Sequence, residues 1–187
     1  GAIDPDGADK AARFMQLCDG YEIPLLFLCD TPGIMVGPEA EKTALVRHCC
    51  RLYVIGANLT VPFFTVVLRK AYGLGAQAMA GGGFHAPFFA VSWPTGEFGG
   101  MGLEGAVKLG YRNELAAIAD PAERKRKYEE MVVAMYEKGK ALNTAALFEI
   151  DDVIDPADTR RIIMAGLRSA PPPTPSPGKK HAWIDAW

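Results

Sequence analysis

Three histidines in 187 residues, none spaced as HxxxH or HExxH, leave the chain without the sequence signature of a structural metal. The four cysteines, Cys18, Cys29, Cys49 and Cys50, show no CxxC spacing and no disulfide framework, and two are adjacent. They read as buried thiols in a reducing compartment. An excess of charge of one sign is also missing: a net charge of −2 carries no nucleic-acid footprint. No apolar run approaches the roughly 18 residues a spanning helix needs, so neither DNA nor a bilayer is an expected partner. Asp30-Thr31-Pro32-Gly33 has the DxxG form of a GTPase box, but no GxxxxGK[ST] loop precedes it, and Pro177-Gly178-Lys179-Lys180 lies in a tail with no strand or helix to frame it. There is no GxSxG elbow, and Gly73-Leu74-Gly75 is a weak dinucleotide fingerprint without a matched acidic residue. Neither a signal peptide nor an initiator Met opens the chain, and Gly1 to Gly7 reads as a chain cut open in a loop.

What is present is an ordinary globular composition, 49% hydrophobic and 22% charged, at the length of one domain. Residues 1–169 are expected to form that domain. Residues 170–187 begin with the Pro-rich spacer Ala170 to Gly178, which cannot pack a core, and end in a tail whose Trp183 and Trp187 suggest surface docking.

Within the domain one unit recurs. A helix over Asp9 to Gly20, with Phe14, Leu17 and Cys18 on one face, leads to the apolar strand Leu25 to Asp30 and the turn Thr31 to Gly33. A second helix over Glu39 to Asn58 leads to the strand Phe63 to Leu68, the Tyr72-Gly73 turn and a helix around Ala76 to Met79. A third strand, Phe88 to Ser92, runs through Trp93 to Gly102 into a helix near Glu104. Asn113 to Gly139 is a charged helical stretch with a solvated face, Ala146 to Asp152 is strand-like, and Asp155 to Arg160 caps a last helix to about Ser169. Strands apolar on both faces that alternate with helices indicate an α/β chain with a parallel sheet covered by helices. Ligands in such folds sit at the strand carboxyl ends, here Asp30 to Gly33, Arg69 to Ala76 and Trp93 to Gly102. The turn at Gly73 to Ala76 is the best candidate. Glycines between a buried strand and a small-residue helix let backbone N–H groups face an anion or oxyanion.

The ordered set Asp30-Thr31-Pro32-Gly33-Ile34, Val46-Arg47-His48, Val61-Pro62, Arg69-Lys70-Ala71-Tyr72-Gly73, Trp93-Pro94, Met101 to Val107 and Val153 to Arg160 resembles the C-terminal half of the carboxyltransferase subunit of biotin-dependent acyl-CoA carboxylases. The resemblance covers about residues 1–168. It implies a crotonase-like (ClpP/crotonase) ββα superhelix. It also implies a reaction in which carboxybiotin releases CO2, its ureido oxygen is held by backbone N–H groups, its nitrogen removes the acyl α-proton, and the thioester enolate takes up CO2.

Carried over, the oxyanion donors fall within Gly73, Leu74, Gly75 and Ala76, as the pair Leu74 and Gly75 or the pair Gly75 and Ala76. Gln77 falls on the acyl pocket. Tyr72, Asp30, Pro32, Gly33, Trp93, Met101 and Gly102 fall on the substrate and biotin side, with Trp93, Met101 and Gly102 expected in the pocket wall and Asp30 expected to hold its own turn. Glu97 and Glu104 read as helix-start acids. The resemblance implies biotin delivered by another domain or chain, since no Ala-Met-Lys-Met site or ATP-grasp glycine loop occurs, with a coenzyme A thioester as substrate and no metal in this domain. Implied partners are an N-terminal carboxyltransferase half, biotin carboxyl carrier and biotin carboxylase domains, and further copies in a dimer-based oligomer up to a hexamer, in bacterial cytoplasm or mitochondrial matrix. Two other readings stand beside it: a stand-alone crotonase-type acyl-CoA hydratase or isomerase, for which paired glutamates and a CoA-adenine pocket are not found, and a non-catalytic oligomerisation lobe.

Overall fold

The structure, a computed structural model, describes residues 1–171; the spacer beyond Pro171 and the Trp183/Trp187 tail lie outside the described residues. Asp4 starts the first helix, α1 (Pro5–Gly20), by accepting a hydrogen bond from Gly7 N–H at 2.6 Å, with Pro5 in the first turn. Its buried stripe is Ala8, Ala12, Met15 and Cys18, so the face differs from the one expected: Phe14 is 59% exposed and Leu17 half-buried. The physical reason is the close approach of α1 to the helix it packs on, which favours Ala8 and Ala12 over large side chains.

Strand β1 (Leu25–Thr31) is followed by α2 (Pro38–Glu41) and α3 (Leu45–Gly56). The single helix expected over Glu39 to Asn58 is thus two, separated where Ala44 takes a left-handed conformation, φ +56°. Strand β2 (Phe63–Tyr72) is longer than expected. Arg69 and Lys70 do not look like strand residues, but this end of β2 pairs on both sides, with Thr31 of β1 and with β4 (Glu97–Gly99), a short strand the sequence reading missed. Between them come α4 (Gly73–Ala78) and β3 (Phe89–Ser92). After β4 the chain is helical: α5 (Leu103–Gly110), α6 (Arg112–Ala117), α7 (Pro121–Lys138) and α8 (Ala141–Ala146). The strand expected over Ala146 to Asp152 is therefore mostly a helix end and turn, and only β5 (Asp152–Val153) pairs. A 3₁₀ turn, Pro156–Asp158, capped by the Asp155 side chain, leads into α9 (Thr159–Ser169).

The sheet is parallel, in the order β1-β2-β3-β5, with β4 on β2. Helices α1 and α3 cover one face through Met15, Leu45, Leu52, Phe27 and Phe63. On the other face Val66 and Val91 pack with Ile162 and Ile163 of α9. The expectation of full cover on both faces fails at β1: Leu26 and Leu28 are 43% and 51% exposed, because α9 reaches only β2 and β3. Cys18, Cys29 and Cys49 are buried free thiols, and burial pushes the Cys29 thiol up to about 12. Cys50 is exposed, against expectation, since its neighbour Cys49 takes the inward face of α3.

Candidate functional site

Three turns at strand carboxyl ends meet backbone to backbone. Gly73 begins α4 with φ +56°, and a Cβ there would lie 2.7 Å from Gly100 O. Gly75, one helical position pair further on, lies so close to the turn after β1 that a Cβ would be 2.6 Å from the Gly33 carbonyl carbon. The first turn of α4 is thereby clamped between Gly33 and Gly100. Side chains are excluded by space at Gly75 and by both space and conformation at Gly73. The first N–H groups of a helix lack intrahelical acceptors, and Tyr72 at the cap position makes no side-chain cap bond. Leu74 points outward, 61% exposed, while its carbonyl accepts from the Tyr53 hydroxyl.

The nearby ionisable groups are already engaged. Asp30 accepts from Arg69 Nε at 3.2 Å, from Arg69 Nη2 at 3.0 Å and from Lys70 N–H at 3.1 Å, where the β1/β2 register shifts between Cys29 and Thr31. The Arg69 hydrogen bond holds its carboxyl below the usual range, against the opposing effect of burial. Asp30 thus stitches the bulge beneath the site. Tyr72 donates to Glu97 Oε2 at 2.7 Å, and burial first, then Glu97, pushes its phenol far above the ordinary value. Glu97 lies in β4, not at a helix start; Glu104 does lie in the first turn of α5, where it accepts from the Tyr136 hydroxyl at 2.7 Å.

From the glycine clamp a groove of about 570 Å³ opens, bounded by Gly73, Ala76, Gln77, Gly100 and Met101 and walled by Ala71, Phe84, Phe98, Leu103, Ala106, Met135 and Leu147, with Lys138 and Glu149 at its polar edge. Of the residues expected from sequence, the structure gathers Gly73, Ala76, Gln77 and Met101 in this groove, with Tyr72, Gly75 and Gly33 behind them. Gly102 precedes α5 without lining the groove, and Pro32 is exposed beside Gly33. Trp93 sits elsewhere: its indole N–H donates to Thr159 Oγ1 at 2.9 Å, and it lines a second groove with Leu26, Leu28, Leu68 and Met164. It is turned toward α9, at the end of β3. The walls Phe84, Phe98, Met135 and Leu147 were not found from sequence, where they carry only the apolar signal of core residues.

A helix start without a side-chain cap, fixed between two glycine turns and opening on an apolar groove, is a geometry in which backbone N–H groups can hold an oxyanion. Residues 1–181 match the carboxyl transferase domain family, and the chain belongs to that family. It is 41% identical over 187 residues to the methylmalonyl-CoA carboxyltransferase 12S subunit of Propionibacterium freudenreichii subsp. shermanii, covering 97% of this chain and 34% of that protein. The carboxyltransferase subunit of propionyl-CoA carboxylase from Haloferax mediterranei is 38% identical, over 98% of this chain and 35% of that one. Among solved structures, a single-chain, multi-domain long-chain acyl-CoA carboxylase superposes with TM-score 0.78 at 56% identity, over 88% of this chain and 16% of its own. Transcarboxylase 12S, described as a hexamer and solved with methylmalonyl-CoA and methylmalonic acid bound, superposes with TM-score 0.81 at 38% identity, over 99% and 35%. These neighbours have a crotonase-like fold, and so does this chain. The chain spans about a third of the length of the relatives it matches, 34% and 35%.

Proposed function

We propose that this chain is the biotin-side half of the carboxyltransferase of a biotin-dependent acyl-CoA carboxylase, moving CO2 from carboxybiotin to the α-carbon of an acyl-CoA. The observation that supports the reading is the start of α4, held so tightly between Gly33 and Gly100 that a Cβ at position 73 or 75 would collide with their backbone. Carboxybiotin, when bound, supplies CO2 and leaves a ureido group whose oxygen gathers charge and whose nitrogen takes the acyl α-proton. Two N–H groups from Leu74 and Gly75, or from Gly75 and Ala76, donate to that oxygen. Because Gly33 and Gly100 fix them beforehand, they need no reorganisation during reaction, and one such donor is worth roughly 10²- to 10³-fold in rate. Tyr72, bonded to Glu97 with a raised pKa, stays neutral and holds β2 to β4 rather than moving a proton. Gln77 presents a neutral amide to the groove.

An N-terminal half that carries the acyl-CoA completes the site, and biotin arrives on a carrier domain charged by a biotin carboxylase. The subunits assemble as a dimer-based oligomer in a compartment that keeps thiols reduced. The test is biotin-dependent decarboxylation of malonyl-CoA or methylmalonyl-CoA by this chain, by the N-terminal half, and by the two together. Turnover only by the combination is expected. Turnover by this chain alone overturns the half-site, and none by the combination overturns the activity. Hydration of an enoyl-CoA by this chain favours the hydratase reading instead.

A further inference from the structure

Tyr53 of α3 is half-buried, its ring packed against the α1/α3 core and beside Gly82, where a Cβ would lie 4.0 Å from Tyr53 Cδ1. Its hydroxyl leaves that core and donates to the Leu74 carbonyl in the first turn of α4. Both helices are located by other contacts. Gly56, the last residue of α3, meets Gly81 so closely that a Cβ would be 2.7 Å from the Gly81 carbonyl oxygen, and Gly75 of α4 meets Gly33 as closely. Docking thus rests on backbone approach, and the Tyr53 hydroxyl adds one directed bond to one carbonyl.

The choice of carbonyl is what gives that bond a role. The Leu74 C=O and the Gly75 N–H belong to one peptide group. That peptide is trans, so the two point to opposite sides of one rigid plane. A donor held on the oxygen restricts rotation of the plane. It also draws electron density from the amide nitrogen, which makes the N–H a stronger donor, as in any chain of hydrogen bonds. Gly75 N–H is the group common to both donor pairs proposed for the ureido oxygen. Burial, ahead of the neighbouring Cys49 and Cys50 thiols, pushes the Tyr53 phenol up to about 12, so the hydroxyl keeps its proton through the neutral range.

Resting on the carboxyltransferase reading above, we infer that Tyr53 is a positioning residue for carboxyl transfer: through the Leu74–Gly75 peptide, its hydroxyl orients and strengthens the Gly75 N–H that holds the charged ureido oxygen. It touches no reacting atom. Its effect is felt as charge gathers on that oxygen and not as the acyl-CoA binds, so it enters kcat and leaves KM alone.

In the complete carboxylase that carries this chain, biotin-dependent decarboxylation of malonyl-CoA and methylmalonyl-CoA is measured for wild type, for Tyr53→Phe and for protein with fluorotyrosine incorporated at position 53. Phenylalanine keeps the packed ring and removes the hydroxyl alone. Fluorination keeps the hydroxyl and makes it a stronger donor. Tyr53→Phe is expected to lower kcat about 3- to 10-fold, the worth of one ordinary hydrogen bond, with KM and Tm unchanged, and fluorotyrosine is expected to raise kcat above wild type. A wild-type kcat in Tyr53→Phe overturns the inference, as does a change confined to KM. A fluorotyrosine protein no faster than wild type overturns it too, reducing Tyr53 to a packing contact. Should Tyr53→Phe lose its fold, the fluorotyrosine protein, which retains the bond, decides alone. A wild type inactive on both thioesters fails at the carboxyltransferase reading itself and takes this inference with it.

Discussion

At the scale of single residues, space decides what the glycines do. A methyl group on Gly75 meets Gly33 backbone at 2.6 Å, and backbone on both sides cannot yield, whereas one on Gly83 meets nothing within 4 Å. Gly75→Ala is expected to lower stability by about 1–3 kcal/mol, the usual cost of overpacking, and to displace the α4 donors. Carboxyl transfer in the assembled enzyme then falls on the order of 10²-fold, while Gly83→Ala leaves both within error; Tm and kcat measured side by side check this. Asp30 contributes differently, through charge. Its folded pKa lies below the ordinary 3.8, so the unfolded chain takes up the proton first. The stability it contributes is complete above the ordinary value and is lost as pH falls through the depressed one. Asp30→Asn therefore destabilises at neutral pH, and its deficit shrinks under acid, as denaturant midpoints at about pH 7 and about pH 2.5 will show.

At the scale of elements, tertiary packing overrode local pattern in recognisable places. The strands Leu25 to Asp30 and Phe63 to Leu68 were legible because they are continuous apolar runs; Asn113 to Gly139 was legible as helical but not its break into α6 and α7, where the Asp120 carboxylate accepts from Ala122 and Glu123 N–H and Pro121 opens α7. Strand β4 was not legible: Glu97-Phe98-Gly99 has the length and composition of a turn, and it becomes a strand only because Lys70 to Tyr72 offers it a free edge. The end of α8 was misread as a strand because Leu147 and Phe148 look apolar and extended, while the bonds from Phe148 N–H to Ala145 O and from Glu149 N–H to Thr144 O curl them back. Close approach also fixes α9 on the sheet. A Cβ on Gly166 would lie 2.5 Å from Phe89 Cε1 and 2.8 Å from Phe64 Cε1, two rings already packed at 4.8 Å. Gly166→Ala is expected to push α9 outward and cost about 1–3 kcal/mol, read as a lower denaturant midpoint with the slope unchanged.

At the scale of the whole molecule, the chain leaves its groove and part of its sheet open. The α4 donors and the apolar groove open outward, and the Leu26/Leu28 face of β1 is left to solvent beside α9. Such a surface suits a protein that functions in contact with further domains, which is why the two-half decarboxylation experiment above is the measurement that decides the proposed activity. The sequence by itself determined the α/β class, the parallel strands and the glycine turn after β2, because apolar run length and glycine placement are local properties that survive any packing. Only the tertiary structure decided that Gly33 and Gly100 clamp that turn, that Trp93 serves α9 instead of the pocket, and that Phe84, Phe98, Met135 and Leu147 form its wall. Those contacts join residues far apart in the chain, and an apolar side chain reads the same in sequence whether it fills a core or lines a groove.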